Sequence, residues 1–247
     1  MAHISETGYA KNVANFESLI TSIIAFDTTY NPSKESIKLP ALQSLLAVSK
    51  NSFSEVNAAQ SAYSLAVDAR ETAFEPLSKL ITRVNNALKA SESSTQTDES
   101  AQTIIRKLQG KRAVAKLTEE EKKALEAEGK EVNQISASQM SYDSRLDNFD
   151  KLITLLTTVP QYSPNEEELK IQSLKATYNN LKSKNTDVVS AYIQLDNARN
   201  NRNDILFKPL TGLIDIVFDV KTYIKSVFGA TSPQYKQVSK LSFTNKR

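Results

Sequence analysis

The chain contains no cysteine, which excludes disulfides, thiolate metal sites and cysteine nucleophiles together. Its single histidine, His3, lies beside the N-terminus. That leaves no imidazole for a catalytic relay elsewhere in the chain, and none for the Glu-x-x-His pairs of carboxylate-bridged metal bundles. The five glycines are scattered too widely for a phosphate-cradling or dinucleotide-binding loop. No window approaches about 18 uninterrupted apolar residues, and the opening MAHISETGYAKN has no apolar stretch of the kind a secretory signal carries. A serine or tyrosine nucleophile would have no partner base. The expectation is therefore a cytoplasmic protein that is not an enzyme and takes no cofactor or metal.

Charge is nearly balanced, with 31 Lys and Arg against 28 Asp and Glu, so the net +3 does not by itself imply a nucleic-acid partner. Strand-like alternation is hard to find, while Ala, Leu, Lys, Glu, Ser and Asn are plentiful. This composition predicts an all-α protein. At 247 residues the chain is long enough to bury roughly 70–75% of its unfolded surface without a staple.

The clearest helical period runs through Val132, Ile135, Gln139, Tyr142, Leu146, Phe149, Ile153 and Leu156, in alternating steps of three and four. Thr118 and Glu121 form a capping box for this helix, and Pro160 and Pro164 end it. A similar seam occurs near the N-terminus as Tyr9, Val13, Phe16, Ile20 and Ile23. Here the residues themselves match, NFESLIT from Asn15 against NFDKLIT from Asn148. The phrases YNPSKESIKL from Tyr30 and YSPNEEELKI from Tyr162 also match, and each precedes a long helical stretch.

Those stretches end in FEPLSKLI, from Phe74, and FKPLTGLI, from Phe207. Proline inside a helix removes a hydrogen bond and clashes with the preceding turn, costing about 3 kcal/mol, whereas in the first turn it costs almost nothing. Pro76 and Pro209 therefore mark a bend or a fresh helix start, with Phe74 and Phe207 packing the bend. All these anchors share an offset of roughly 130 residues, which predicts internal duplication. TIIRKLQG from Thr103 and TYIKSVFG from Thr222 match at a shorter offset, so the first copy carries an insert. ASESSTQTDESA, over about residues 90–101, reads as that insert and as a mobile surface loop.

Residues 1–117 form the first repeat and 118–247 the second, with a C-terminal arm from about residue 230. Each repeat is a short helix plus a long helix bent at its proline. Both are expected to pack as one domain, an elongated up-down bundle with pseudo-two-fold symmetry. The phrases YNPS, AFEPLSKLITRVNNALKA, TIIRKLQGKRA, YSPNEEELK, FKPLTGLIDI and VKTYIKSVFGATSPQYKQVSKLSF together resemble a family of small, uncharacterised, internally duplicated helical proteins from bacteria. The resemblance covers essentially the whole chain. It implies a bacterial all-helical protein and carries over no activity, cofactor or site residue.

Two features suggest contact with something else. In the arm, Tyr235, Val238, Leu241 and Phe243 follow a proline and give a polar tail apolar side chains it would not need. They can fold back on the parent bundle or dock on a neighbouring subunit. Arg106, Lys107, Lys111, Arg112 and Lys116 form one basic cluster, and Lys221, Lys225, Lys236, Lys240, Lys246 and Arg247 make the C-terminus positive. The leading expectation is a structural or scaffolding protein that assembles with itself or docks on another protein through the arm. The alternative is an adaptor for nucleic acid or anionic membrane through the basic clusters. A pore-forming toxin component is more remote, because its apolar hairpin is missing. Asp215 and Asp219 share a helix face but read as a solvated stripe beside Lys221 and Lys225.

Overall fold

The computed structural model describes residues 6–111 and 140–244, and their regular structure is helical throughout. Helix α1 spans Glu6–Ala25 and α2 spans Leu39–Phe74. Helices α3 (Leu77–Lys89) and α4 (Thr95–Leu108) follow. After residue 140 come α5 (Tyr142–Thr157), α6 (Ile171–Phe207), α7 (Leu213–Phe228) and α8 (Pro233–Ser239). Among the described residues no helix is long and apolar enough to cross a membrane.

The chain divides into two compact units, Met1–Ser64 with Ala191–Arg247, and Leu65–Ser190. The first unit is closed by the seam of α1: Tyr9, Val13, Phe16, Ile20 and Ile23 are buried with Leu42 of α2, Leu206 of α6, and Leu213, Val217, Val220 and Ile224 of α7. In the second unit Phe74 joins Ile81, Val84 and Leu88 of α3, Ile105 and Leu108 of α4, Phe149, Leu152 and Leu156 of α5, and Leu174 and Leu181 of α6. Burial of each such side chain contributes roughly 1.5–3 kcal/mol relative to exposure.

Two expectations need correction. The Ser-rich stretch over 90–101 is not a loop throughout, because α4 starts at Thr95 inside it. The hydroxyl of Ser94 accepts from the Thr97 N–H at 3.2 Å, satisfying a donor that would otherwise be orphaned. Ala101, Ile105 and Leu108 then bury one face of α4, which packs between α3 and α5. Nor does one helix continue unbroken up to Leu156, because Ser141 caps a new N-terminus and accepts from Ser144 N–H at 3.2 Å. Thr118, Val132, Ile135 and Gln139 lie outside the described residues.

The connections after α1 and α5 are held the same way. Tyr30 donates its hydroxyl to the Ile37 carbonyl at 2.7 Å, and Tyr162 donates to the Leu169 carbonyl at 2.9 Å, each reaching seven residues along the chain. Both rings are buried. Each tie folds the chain over a short 3₁₀ turn, Glu35–Ile37 or Glu167–Leu169, directly before a long helix. Burial, and then the nearby Glu166 carboxylate, pushes the Tyr162 phenol up to about 12; burial beside Tyr223 raises Tyr30 as well.

A phenol held neutral in the folded state stabilises the fold fully below its unfolded value near 10.0, and that contribution is lost as pH rises towards about 12. Tyr162→Phe is therefore expected to lose about 1 kcal/mol at neutral pH through the unpaired Leu169 carbonyl. It should also flatten the decline in stability between pH 10 and 11.5. Urea unfolding at neutral pH and across the alkaline range checks both effects, and a variant as stable and as alkali-sensitive as the parent would refute the assignment.

Candidate interaction site

The best-defined constellation is the C-terminal arm and its seat in the first unit. Ser232 caps α8, accepting from the Tyr235 N–H at 3.1 Å, and Pro233 occupies the first turn, where its missing donor costs nothing. Val238 is fully buried at 0% exposure, and Tyr235, Leu241 and Phe243 pack half-buried against the same core. All four apolar arm residues therefore fold back on their own chain.

Beyond α8 the tail is held by its backbone. The side-chain amide of Asn12 donates to the Thr244 carbonyl at 2.9 Å, and its oxygen accepts from the Thr244 N–H at 2.8 Å. One turn along α1, Asn15 donates to the Ser242 carbonyl at 2.6 Å. Lys221 of α7 donates to the Leu241 carbonyl at 2.5 Å and lies 5.0 Å from the centre of the Phe243 ring. Burial lowers the pKa of that amine. Asn12 is itself buried, so its amide would be costly to leave unpaired. The sequence reading missed Asn12 and Asn15; their signal was two amides at i and i+3 bordering an apolar seam, a pattern equally common on solvated faces.

The basic residues divide between the units. Arg106 and Lys107 stand in the last turn of α4 with Lys111 just beyond, in the second unit. There they complement the helix's negative end. Lys236 and Lys240 belong to the arm in the first unit, and Arg112 and Lys116 lie outside the described residues. Asp215 and Asp219 both have partners: Asp219 pairs with Lys34 at 2.5 Å, and Asp215 accepts from the Leu210 N–H at 2.8 Å. No cluster of three metal-ligating side chains occurs among the described residues.

At the proline junctions, Phe74 and Phe207 end the long helices and each meets a tyrosine ring, Phe74 with Tyr142 at 4.8 Å and Phe207 with Tyr9 at 5.3 Å. Arg70 lies 4.0 Å above Tyr142 and Arg202 lies 4.4 Å above Tyr9. Such stacks contribute up to about 2 kcal/mol when water is excluded. Arg145 adds a bond from its guanidinium to the Phe74 carbonyl at 3.1 Å, and burial lowers its pKa.

The two junctions then diverge. After Pro76 the helix resumes at once, and Leu77 is 2% exposed. After Pro209 the chain makes a turn closed by Gly212 N–H on the Lys208 carbonyl at 2.8 Å. Leu210 adopts a left-handed φ of 70° and is 80% exposed. A side chain at Gly212 would place its Cβ 2.7 Å from the Lys208 backbone, so the turn admits only glycine there, where the first junction has Lys79.

The second unit also carries an open cleft of about 610 Å³ lined by Arg83, Asn86, Ser91, Gln161, Asn165 and Glu166. Arg83 pairs with Glu168, and the Ser91 hydroxyl is spent on the Leu88 carbonyl at 2.6 Å. No protein-family model, curated protein or solved structure matches this chain. The described residues define an all-α protein with two separate cores and a peptide-like arm seated in one of them.

Gly212→Ala is expected to destabilise the first unit by about 1–3 kcal/mol, because the clash is with backbone. Leu210→Asn should instead gain up to about 1 kcal/mol, since asparagine tolerates the left-handed region that leucine resists. Thermal unfolding of the two variants should therefore shift in opposite directions, and a shift in the same direction would contradict the turn geometry.

Proposed function

We propose that this protein is a non-enzymatic helical scaffold that assembles with itself through its C-terminal arm. The observation that carries the reading is the arm's attachment: Val238 is sunk in the core and the tail after it is gripped by Asn12, Asn15 and Lys221. Grip on a segment's main chain is one of the ways in which surfaces recognise peptides, and that likeness supports the reading. The nearly balanced charge agrees with a structural role.

The scaffold is, in this reading, an internal duplication of the bacterial helical kind its phrases resemble, working in the cytoplasm. The matched tyrosine ties at Tyr30 and Tyr162 and the matched ring pairs at Phe74 and Phe207 support the duplication.

The test is native mass by light scattering on a sizing column, at micromolar concentration, for the full chain and for a chain lacking Leu241–Arg247. Removing the whole arm from Pro233 would also remove Val238 from the core and confuse assembly with folding. The full chain is expected to exceed 27.4 kDa and the shortened chain to fall to the monomer with its helical circular dichroism preserved. An unchanged mass after the deletion would refute assembly through the arm.

A further inference from the structure

The seat described above fixes backbone atoms of the tail at three residues, Leu241, Ser242 and Thr244. Its side-chain selection comes from Leu241 and Phe243, two residues apart and both half-buried. Main-chain bonds with alternate side chains in apolar contact are how extended peptides are recognised generally, and none of these contacts requires the peptide to be covalently continuous with the seat.

The link supplies the second half of the argument. Helix α7 ends at Phe228, and Gly229 turns the chain with a φ of 85°. Gly229, Ala230 and Thr231 are exposed, and a Cβ on Gly229 would meet no atom within 4 Å. Among the described residues the link has no buried residue of its own, so straightening it breaks only its turn, while the arm that moves with it carries Val238 from one copy's core to the other's. The link is also short, bound back by the Ser232 hydroxyl on the Gly229 carbonyl at 2.8 Å. A short hinge with little slack invites domain swapping, because straightening it releases the turn that the closed arm has to keep.

The geometry points to exchange of the arm between copies: Asn12, Asn15 and Lys221 form an acceptor that takes residues 230–244 either from its own chain or from a second copy. This rests on the assembly reading above and names its acceptor. Every contact made within one chain is remade between two, so the balance is set by the link and by concentration.

Two full-length variants test it. Asn12→Ala with Asn15→Ala breaks the acceptor and leaves the arm intact. Leu241→Ser with Phe243→Ser breaks the arm and leaves the acceptor intact. Each alone is expected to be a 27.4 kDa monomer, while an equilibrated one-to-one mixture gives a species of twice that mass, since one intact arm meets one intact acceptor. If the parent assembles but the mixture stays monomeric, the acceptor is wrong and assembly uses another surface. If the parent is monomeric at every concentration, assembly and exchange both fall.

Deleting Ala230 and Thr231 provides a check that alters no contact residue. The shortened link can no longer fold back, so assembly should begin at about tenfold lower concentration than for the parent. A deletion variant that remains monomeric overturns the exchange even where the substituted variants fail to fold.

Discussion

Neither long helix can run past its proline, and the rest of the structure depends on that limit. Proline has no N–H to donate and its ring clashes with the turn before it, so α2 ends at Phe74 and α6 at Phe207. The chain that follows each break is free to pack sideways. After Phe74 it becomes α3 and α4, which bury against α5; after Phe207 it becomes α7, which buries with the seam of α1. The phenylalanines at the breaks are clamped by tyrosine rings under arginines, which fixes where each new helix departs.

Each core is consequently built from chain segments far apart in sequence. Residues up to Ser64 share a unit with residues from Ala191 onward, so the first unit closes only when segments far apart in sequence meet. Long-range closure of this kind is slow to search. The arm is held in the first unit by one fully buried valine, three half-buried side chains and a few backbone bonds, fewer contacts than either long helix makes.

Much of the helix content could be read from the sequence, because apolar spacing is a local property. The seam of α1, the tyrosine-proline connections and the breaks at Pro76 and Pro209 were all visible as residues. Two boundaries were not. Ser94 and Ser141 start helices inside stretches read as a loop and as a continuous helix, since a capping hydroxyl beside polar neighbours looks the same as a loop serine. The seat of the arm was equally hidden. Asn12 and Thr244 are 232 residues apart, and nothing local to either says that they bond.

The sequence by itself determined that the described chain is helical, where its long helices stop, and that its tail carries apolar residues. Those follow from spacing, from the missing donor of proline and from composition. Only the tertiary structure decided that Leu77 is buried while Leu210 is exposed, because the difference lies in a turn that closes over Gly212 and has no room for a Cβ. It also decided which asparagines grip the tail. Both are questions of which distant atoms come within a few ångströms, and that is fixed by packing rather than by order along the chain.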